Sequence, residues 1–359
     1  MKKVLIFLIC LIGYQIGCHA QMADEHYYFK NLSVQNGLSQ NTVNAILQDK
    51  QGFMWFGTKD GLNRYDGLSF RKFKHDDRTR RSIGNNFITA LYEDSKGDIW
   101  VGTDVGLYIY NPEKDSFRHF AELSAENTKI EHTVTAISGD NKGCVWVAVE
   151  SQGLFCYDLE EGTLQNFSFI STNVQSFVFD NSGTLWIGCY GDGLFYSKDR
   201  LQTLHPYVSP VDDQKTYEND VVIGLVKGAY NCLYIGSLKG GVKELNLTSN
   251  KLHDLLSEDE NGESVFCREL LVASDNELWI GAESGLYIYN LRMGKYVHLR
   301  SSINDPYSLS DNAIYSLCKD REGGIWIGSY FGGVNYYPRF YTYFEKYYPK
   351  GTDNGLHGK

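Results

Sequence analysis

Five carboxylates stand at matching places of a recurring pattern: Asp60, Asp104, Glu150, Asp192 and Glu283. Glycoside hydrolysis needs two carboxyl groups facing each other across the scissile bond, and a closed arrangement of the repeats would turn these positions into a ring of acids. Repetition alone accounts for their equivalence, so no catalytic residue is assigned. Among and beside them are the residue types that hold sugars. Tyr190, Tyr330 and Phe331 offer aromatic faces, and Lys59, Asp60, Asp104, Asp192, Lys239 and Glu283 offer charged hydrogen-bonding groups. These nine residues are expected to line a shallow pocket for an oligosaccharide.

Other chemistries find less support. The nine histidines show no HxH or HExxH spacing and the cysteines no CxxC spacing, so no metal site is inferred. No cofactor pocket is identified. Arg78, Arg80 and Arg81 fall within one polar segment and read as a solvated loop, not as the carboxylate-binding arginines of a sialidase. A net charge of -10 leaves no bulk basic footprint for nucleic acid or anionic lipid.

What must position the candidate residues is β-structure. The chain has 359 residues, with 26 Tyr, 19 Phe and 36 Gly against only 6 Pro. Aromatics and glycine at that density point to short strands joined by tight turns, and 42% hydrophobic residues are enough for a large core and exclude a disordered chain.

An internal repeat sets the architecture. Trp55-Phe-Gly-Thr-Lys-Asp-Gly-Leu-Asn-Arg-Tyr65 returns from Trp100 to Tyr110, Trp146 to Tyr157, Trp186 to Tyr196, Tyr234 to Val242, Trp279 to Tyr289 and Trp326 to Tyr337. The aromatic anchors are 45, 46, 40, 48, 45 and 47 residues apart. Most copies follow an apolar strand-like run and an Asp-x-x-Gly turn, such as Val43 to Ile46 and then Asp49 to Gly52. The fifth and sixth replace that turn with Lys227-Gly228 and Ser274-Asp275. In the turn, Asp accepts backbone N–H groups and Gly supplies positive φ. In Trp-x-Gly, the glycine leaves room for another backbone or an aromatic ring. With Leu-x-x-Tyr as a third strand and an aromatic segment such as Phe70 to Phe73 as a fourth, each copy makes four antiparallel strands. One such sheet cannot bury both faces, whereas a closed array of them can. The expected fold is all-β, a seven-bladed β-propeller of four-stranded antiparallel blades, over residues 21–345. The segment Tyr27 to Leu32 is favoured over Phe340 to Phe344 as the strand that closes the ring.

The first twenty residues read as a secretory signal peptide: Lys2 and Lys3, the apolar run Val4 to Ile16, and a small-residue site at Cys18-His19-Ala20 with cleavage after Ala20. That places the mature protein in the periplasm or outside the cell. Acylation of Cys18 is the alternative, although Gln15 stands where such sites carry Leu. Cys144, Cys156, Cys189, Cys232, Cys267 and Cys318 read as small buried hydrophobes, with Cys144 and Cys156 the one pair placed to face each other across a hairpin. Residues 346–359 contain Asn354-Gly355-Leu356, which repeats Asn36-Gly37-Leu38 and reads as the start of a further repeat in a truncated or fragmentary chain.

The motif Asn-x-Val-x-x-Ile-x-x-Asp-x-x-Gly-x-x-Trp-x-Gly-Thr-x-x-Gly-Leu-x-x-Tyr, nearly complete from Asn41 to Tyr65 and from Asn86 to Tyr110, resembles the two-component regulator propeller repeat. The resemblance covers roughly residues 27 to 359. It implies the periplasmic sensor region of a hybrid two-component system of the Bacteroidetes type, responding to carbohydrate breakdown products. Full-length relatives would carry a further propeller, an immunoglobulin-like domain, a membrane helix and kinase regions. No kinase glycine boxes, second span or basic helix pair are seen in this sequence. The expected function is therefore an extracytoplasmic ligand-sensing propeller without its own kinase region, not an enzyme, meeting the membrane only through a parent sensor or an uncleaved leader. The alternatives are a propeller lyase or glycoside hydrolase acting on polysaccharide, and a protein-interaction scaffold.

Overall fold

In the computed structural model, which describes residues 27–123, 128–167, 173–209 and 220–339, the repeat folds as a hairpin fastened from within. In blade 1, Asp49 Oδ1 accepts the amides of Gln51 (3.0 Å) and Phe53 (2.9 Å) while Oδ2 accepts the Trp55 indole N–H at 2.7 Å. Gly52 supplies the left-handed residue the turn requires, with φ +97°. One carboxylate thus ties the turn to its strand. Asp94, Asp140, Asp180 and Asp320 repeat the indole bond to Trp100, Trp146, Trp186 and Trp326. Blades 5 and 6 use other means. Tyr230 and Asn231 take positive φ in blade 5, and the Trp279 indole of blade 6 donates to Glu277.

Blade 1 comprises Val43–Gln48, Met54–Thr58, Gly61–Tyr65 and Phe70–Phe73 in antiparallel order, and six further four-stranded sheets follow, making a seven-bladed β-propeller. The first strands of blades 2 to 7 are Ile88–Glu93, Val134–Gly139, Val174–Phe179, Val222–Lys227, Cys267–Ser274 and Ile314–Lys319. Each abuts the first strands of both neighbouring blades, so these seven strands form the innermost layer. Blade 7 closes the ring: Val334–Tyr337 pairs with the N-terminal strand Lys30–Leu32, Asn31 opposite Asn335. The expected closing strand is the one observed. Blade 4 is the least regular, its fourth strand reduced to His205–Pro206.

The core is a set of seams between blades. Seven clusters of buried apolar side chains each draw on two adjacent blades, such as Trp55 and Ile88 between blades 1 and 2, or Trp326 and Phe56 between blades 7 and 1. Trp55, Trp100, Trp146 and Trp279 are buried completely. At about 25 cal/mol per Å² of apolar surface, such an anchor is worth roughly 4–6 kcal/mol before entropy. The Trp-x-Gly glycine lies against the next blade, where a Cβ on Gly188 would come within 2.9 Å of the Val222 carbonyl and one on Gly328 within 2.7 Å of the Val43 carbonyl, the close backbone expected there. A Cβ on Gly57 would lie 2.5 Å from Ile88 Cγ2, and one on Gly102 would lie 2.6 Å from Val134 Cγ1. In blades 1, 2, 4 and 6 the glycine also makes room for a branched aliphatic side chain of the next blade, and in no copy for an aromatic ring.

Each first strand also carries a bulge after its first residue. The residues left without a partner are Asn44, Thr89, Thr135, Gln175, Ile223, Arg268 and Tyr315. A bulge re-aims the side chain at the extra residue, and here it does so seven times at one level of the ring. The leader, the segment Phe340 to Phe344 and the tail from residue 346 lie outside the described residues. Among the described residues no helix is long and apolar enough to cross a membrane.

Candidate functional site

The turn between second and third strands begins, in six blades, with a residue whose amide is fixed to the carbonyl just before the first strand. Asp104 bonds to Phe87 (2.9 Å), Glu150 to Thr133 (2.9 Å), Tyr190 to Asn173 (2.8 Å), Leu238 to Val221 (3.0 Å), Glu283 to Phe266 (3.2 Å) and Tyr330 to Ala313 (2.9 Å). With Lys59 of blade 1 these residues make a ring on the face that also carries the blade-to-blade connections. The seven bulged residues make a second ring at the same end of the first strands.

In blades 6, 7 and 1 the two rings meet. Arg268, the bulged residue of blade 6, donates through Nε to Glu283 Oε1 at 2.6 Å and stands 5.0 Å from the ring centre of Tyr315. The Tyr315 hydroxyl donates to the same Glu283 oxygen at 3.3 Å, and burial raises that phenol above its ordinary pKa. The Tyr315 and Tyr330 rings lie 5.0 Å apart, and Tyr330 meets Phe331 edge-on at 4.5 Å. Lys59 Nζ donates to the Tyr330 hydroxyl at 2.5 Å, lies 4.1 Å from the centre of that ring and 5.7 Å from Phe87. Phe331 is 72% exposed and the others are half-buried. The result is a contiguous crescent with charge, aromatic face and charge in turn.

Of the nine residues expected from sequence, the structure brings Lys59, Tyr330, Phe331 and Glu283 into this crescent. Asp60 stands at its edge, held by Lys74 at 2.5 Å. The other four do not join it. Asp104 is exposed and accepts from Thr133 at 3.2 Å, while Tyr190, Asp192 and Lys239 are exposed in blades 4 and 5. A single pocket lined by all nine is therefore not what the fold builds. Conversely, Arg268, Tyr315 and Phe87 belong to the crescent and were not among the nine. Arg268 and Tyr315 hold the position after the residue that opens each first strand and Phe87 the position before it, places that vary from copy to copy but whose residue types do not announce a site.

In blades 1 to 3 the bulged residues do something else. Asn44 donates to the Ile88 carbonyl at 2.9 Å, Thr89 to Val134 at 2.6 Å and Thr135 to Val174 at 2.6 Å. Each staples its blade to the next. In blade 7 that bond is made one residue later, by Ser316 to the Val43 carbonyl at 3.0 Å, which leaves Tyr315 for the crescent.

Other places on the molecule carry less. A hollow of about 630 Å³ opens toward the opposite face at the seam of blades 3 and 4, lined by Cys144, Cys156, Asp158 and Arg200. Arg200 reaches across it to Asp140 at 2.5 Å, so its charge is already used in joining the blades. Cys144 lies opposite Asp158 and Cys156 opposite Trp146, so the two cysteines are diagonal neighbours on one face of the hairpin, with their thiols in contact. Five of the six described cysteines are buried, and none of the six is joined in a disulfide. Arg78, Arg80 and Arg81 are exposed, as a solvated loop requires. Asp259, Glu260 and His298 approach one another closely enough to hold a cation, but the Arg300 guanidinium sits 3.2 Å from Asp259 and 3.6 Å from Glu260 and supplies the positive charge there.

Residues 37–60, 82–105, 168–191 and 308–331 match the family model of the two component regulator propeller. The matches end at the second-to-third turns of blades 1, 2, 4 and 7. The chain is 26% identical to the extracellular domain of the hybrid two component system BT3049 of B. thetaiotaomicron, with a TM-score of 0.73 over 87% of this chain and 42% of that one. It shares its fold with the extracellular domain of BT4673 from the same organism at 22% identity, with a TM-score of 0.72 over 87% of this chain and 40% of that one. Over 83 residues, 23% of this chain and 6% of the relative, it is 32% identical to histidine kinase P4 of Formosa agariphila. The chain thus spans less than half the length of the relatives it matches. Four of its blades match the two component regulator propeller repeat, and its propeller is homologous to the extracellular domain of the hybrid two component system BT3049.

Proposed function

We propose that this chain, built of two component regulator propeller repeats, is the ligand-sensing module of an extracytoplasmic two-component receptor, and that it recognises an oligosaccharide on the crescent of blades 6, 7 and 1. The observation that carries this reading is the pair of partly exposed rings Tyr315 and Tyr330, 5.0 Å apart, with Arg268 and Lys59 each over one side of a ring and Glu283 at the Tyr315 hydroxyl. A pyranose presents C–H groups to an aromatic face and hydroxyls around its rim to charged partners, and the crescent offers both. Varied loops on a rigid scaffold are where recognition concentrates. The leader read from residues 1–20 would deliver the module to the periplasm or beyond, where a ligand from outside the cell is met. Kinase regions belong to longer relatives in this reading, and the module itself binds without turning over its ligand.

Isothermal titration against a panel of oligosaccharides tests the assignment. Tyr330→Ala is expected to weaken binding by about tenfold or more, as loss of an aromatic anchor does. Tyr190→Ala, on the far arc, reports whether the ligand extends across the whole face. Wild-type affinity in Tyr330→Ala would remove the crescent from the assignment, and release of reducing ends from a polysaccharide would favour the enzyme instead.

A further inference from the structure

Lys59 differs from every other cation of the crescent in its company. Arg268 is paired with Glu283, and Lys74 with Asp60. Lys59 is half-buried, and it meets a neutral phenol and two aromatic rings: the Tyr330 hydroxyl, the Tyr330 face and the Phe87 face. The carboxylates around it are already engaged. Asp60 holds Lys74 and Glu283 holds Arg268, while Asp311 is turned to the amides of Asn312 and Phe331, each at 2.8 Å, and makes no ion pair with Lys59 among the described residues. Partly buried charges are ordinarily paired, because desolvation without a counter-charge is costly. Aromatic faces attract an ammonium but leave its net charge in place. An uncompensated cation at the rim of an aromatic platform is complementary to a ligand that brings its own negative charge.

We propose that the ligand is an acidic saccharide, whose carboxylate or sulfate group is held by Lys59 while the sugar ring bearing it rests on Tyr330 and Phe331. This rests on the sensing site proposed above and narrows it to a chemical class. The ammonium has donors beyond the one used on Tyr330, so an anion can bind without displacing that bond. Asp60 follows the lysine in the chain and Glu283 lies beyond Tyr330 and Tyr315, and their pairing with Lys74 and Arg268 offsets the charge each would present to an arriving anion.

The test uses the whole protein and three tetrasaccharides of matched length: a polygalacturonate fragment, a sulfated galactan fragment and a neutral glucan fragment. Wild-type protein is expected to bind one or both acidic probes more tightly than the neutral one, with an affinity that falls as salt is raised. Lys59→Met is expected to weaken the acidic probe by about ten- to a hundredfold, the worth of a charge-assisted hydrogen bond, and to change the neutral probe by less than about threefold. Lys59→Arg keeps the charge and should recover most of the loss. The two acidic probes separate carboxylate from sulfate. Binding of the neutral probe alone, or an equal effect of Lys59→Met on all probes, would overturn the acidic class and leave the sensing site standing. Binding of none of the probes by a folded wild-type protein would overturn both.

Discussion

Blades 1, 2 and 3 carry Asn44, Thr89 and Thr135 at the bulge of the first strand, and each donates to a carbonyl of the next blade. Blades 6 and 7 carry Arg268 and Tyr315 at the same place, and both turn to Glu283. The backbone is alike in both arcs, with the same bulge in the same register. What differs is whether the bond that joins the blades is made by the bulged residue or by a neighbour. Ser316 makes it in blade 7, and so Tyr315 is free for another use. A repeated scaffold can release a position for recognition when its structural duty is carried one residue away.

The arcs differ at the opposite ends of the blades too, and the largest expected effect lies there. Asp94 accepts the Trp100 indole at 2.8 Å and the amides of Lys96 (2.9 Å) and Asp98 (3.0 Å). Asp94→Ala would leave a buried indole and two turn amides without an acceptor, a loss of about 3 kcal/mol. Asp275 holds the equivalent stretch of blade 6, where the indole bond is made by Glu277 instead. It is exposed, and Asp275→Ala should change stability by no more than about 0.5 kcal/mol. Urea unfolding of the two variants measures the contrast directly, and equal losses would erase it.

Asp94 and Asp275 also show why the fold was legible in the sequence. The Asp-x-x-Gly-x-x-Trp clamp is local: donor, acceptor and left-handed glycine lie within seven residues, and their types state their roles. Ring closure was legible too, because Trp326 to Tyr337 has no fourth strand after it that matches the others as well as Tyr27 to Leu32 does. The site was legible only by half. Lys59, Glu283, Tyr330 and Phe331 stand in turns whose place in the repeat announces exposure. Arg268 and Tyr315 stand one residue inside a strand, flanked by Cys267 and Glu269 or by Ile314 and Ser316, and nothing in those types signals a bulge. Asp104, Tyr190, Asp192 and Lys239 look as well placed as Lys59 in sequence. Their exclusion follows from what each side chain meets across the blades, as when Asp104 turns to Thr133 of the next connection, which no single repeat contains.

Glu269 sharpens the contrast at the next position along the strand. The equivalent residues are Ala45, Ala90, Ala136, Ser176, Gly224 and Ser316, all small. Burial pushes the Glu269 carboxyl from 4.5 up to about 7, although the Leu270 amide donates to it at 3.0 Å. Below about pH 4.5 the group is protonated in both folded and unfolded chains, and stability is undiminished. As pH rises toward 7 the unfolded chain gives up its proton first, and the folded state loses ground. Glu269→Gln should therefore gain about 2 kcal/mol at pH 8, allowing for the partial exposure of the side chain, and nothing at pH 4. Thermal melts across that range would show a gain that grows with pH. A gain independent of pH would locate the effect in packing.

The smallest effect belongs to the staples themselves. Thr135→Val keeps shape and removes the hydroxyl that reaches the Val174 carbonyl at 2.6 Å, a loss of about 1 kcal/mol. Tyr315→Phe removes a longer bond, 3.3 Å to Glu283, at a site open to water on one side, and is expected to cost less than about 0.5 kcal/mol. Its consequence should appear in ligand affinity. Because Thr89 and Thr135 occupy adjacent blades, the double variant Thr89→Val/Thr135→Val asks how the ring holds together. Independent staples predict a combined loss of about 2 kcal/mol. A larger loss would mean that each bond steadies the next strand for the bond after it, and that blades 1 to 3 act as one stiff segment against which the crescent is held. A stability loss in Tyr315→Phe equal to that in Thr135→Val would make the two arcs structurally alike and remove the division of labour between them.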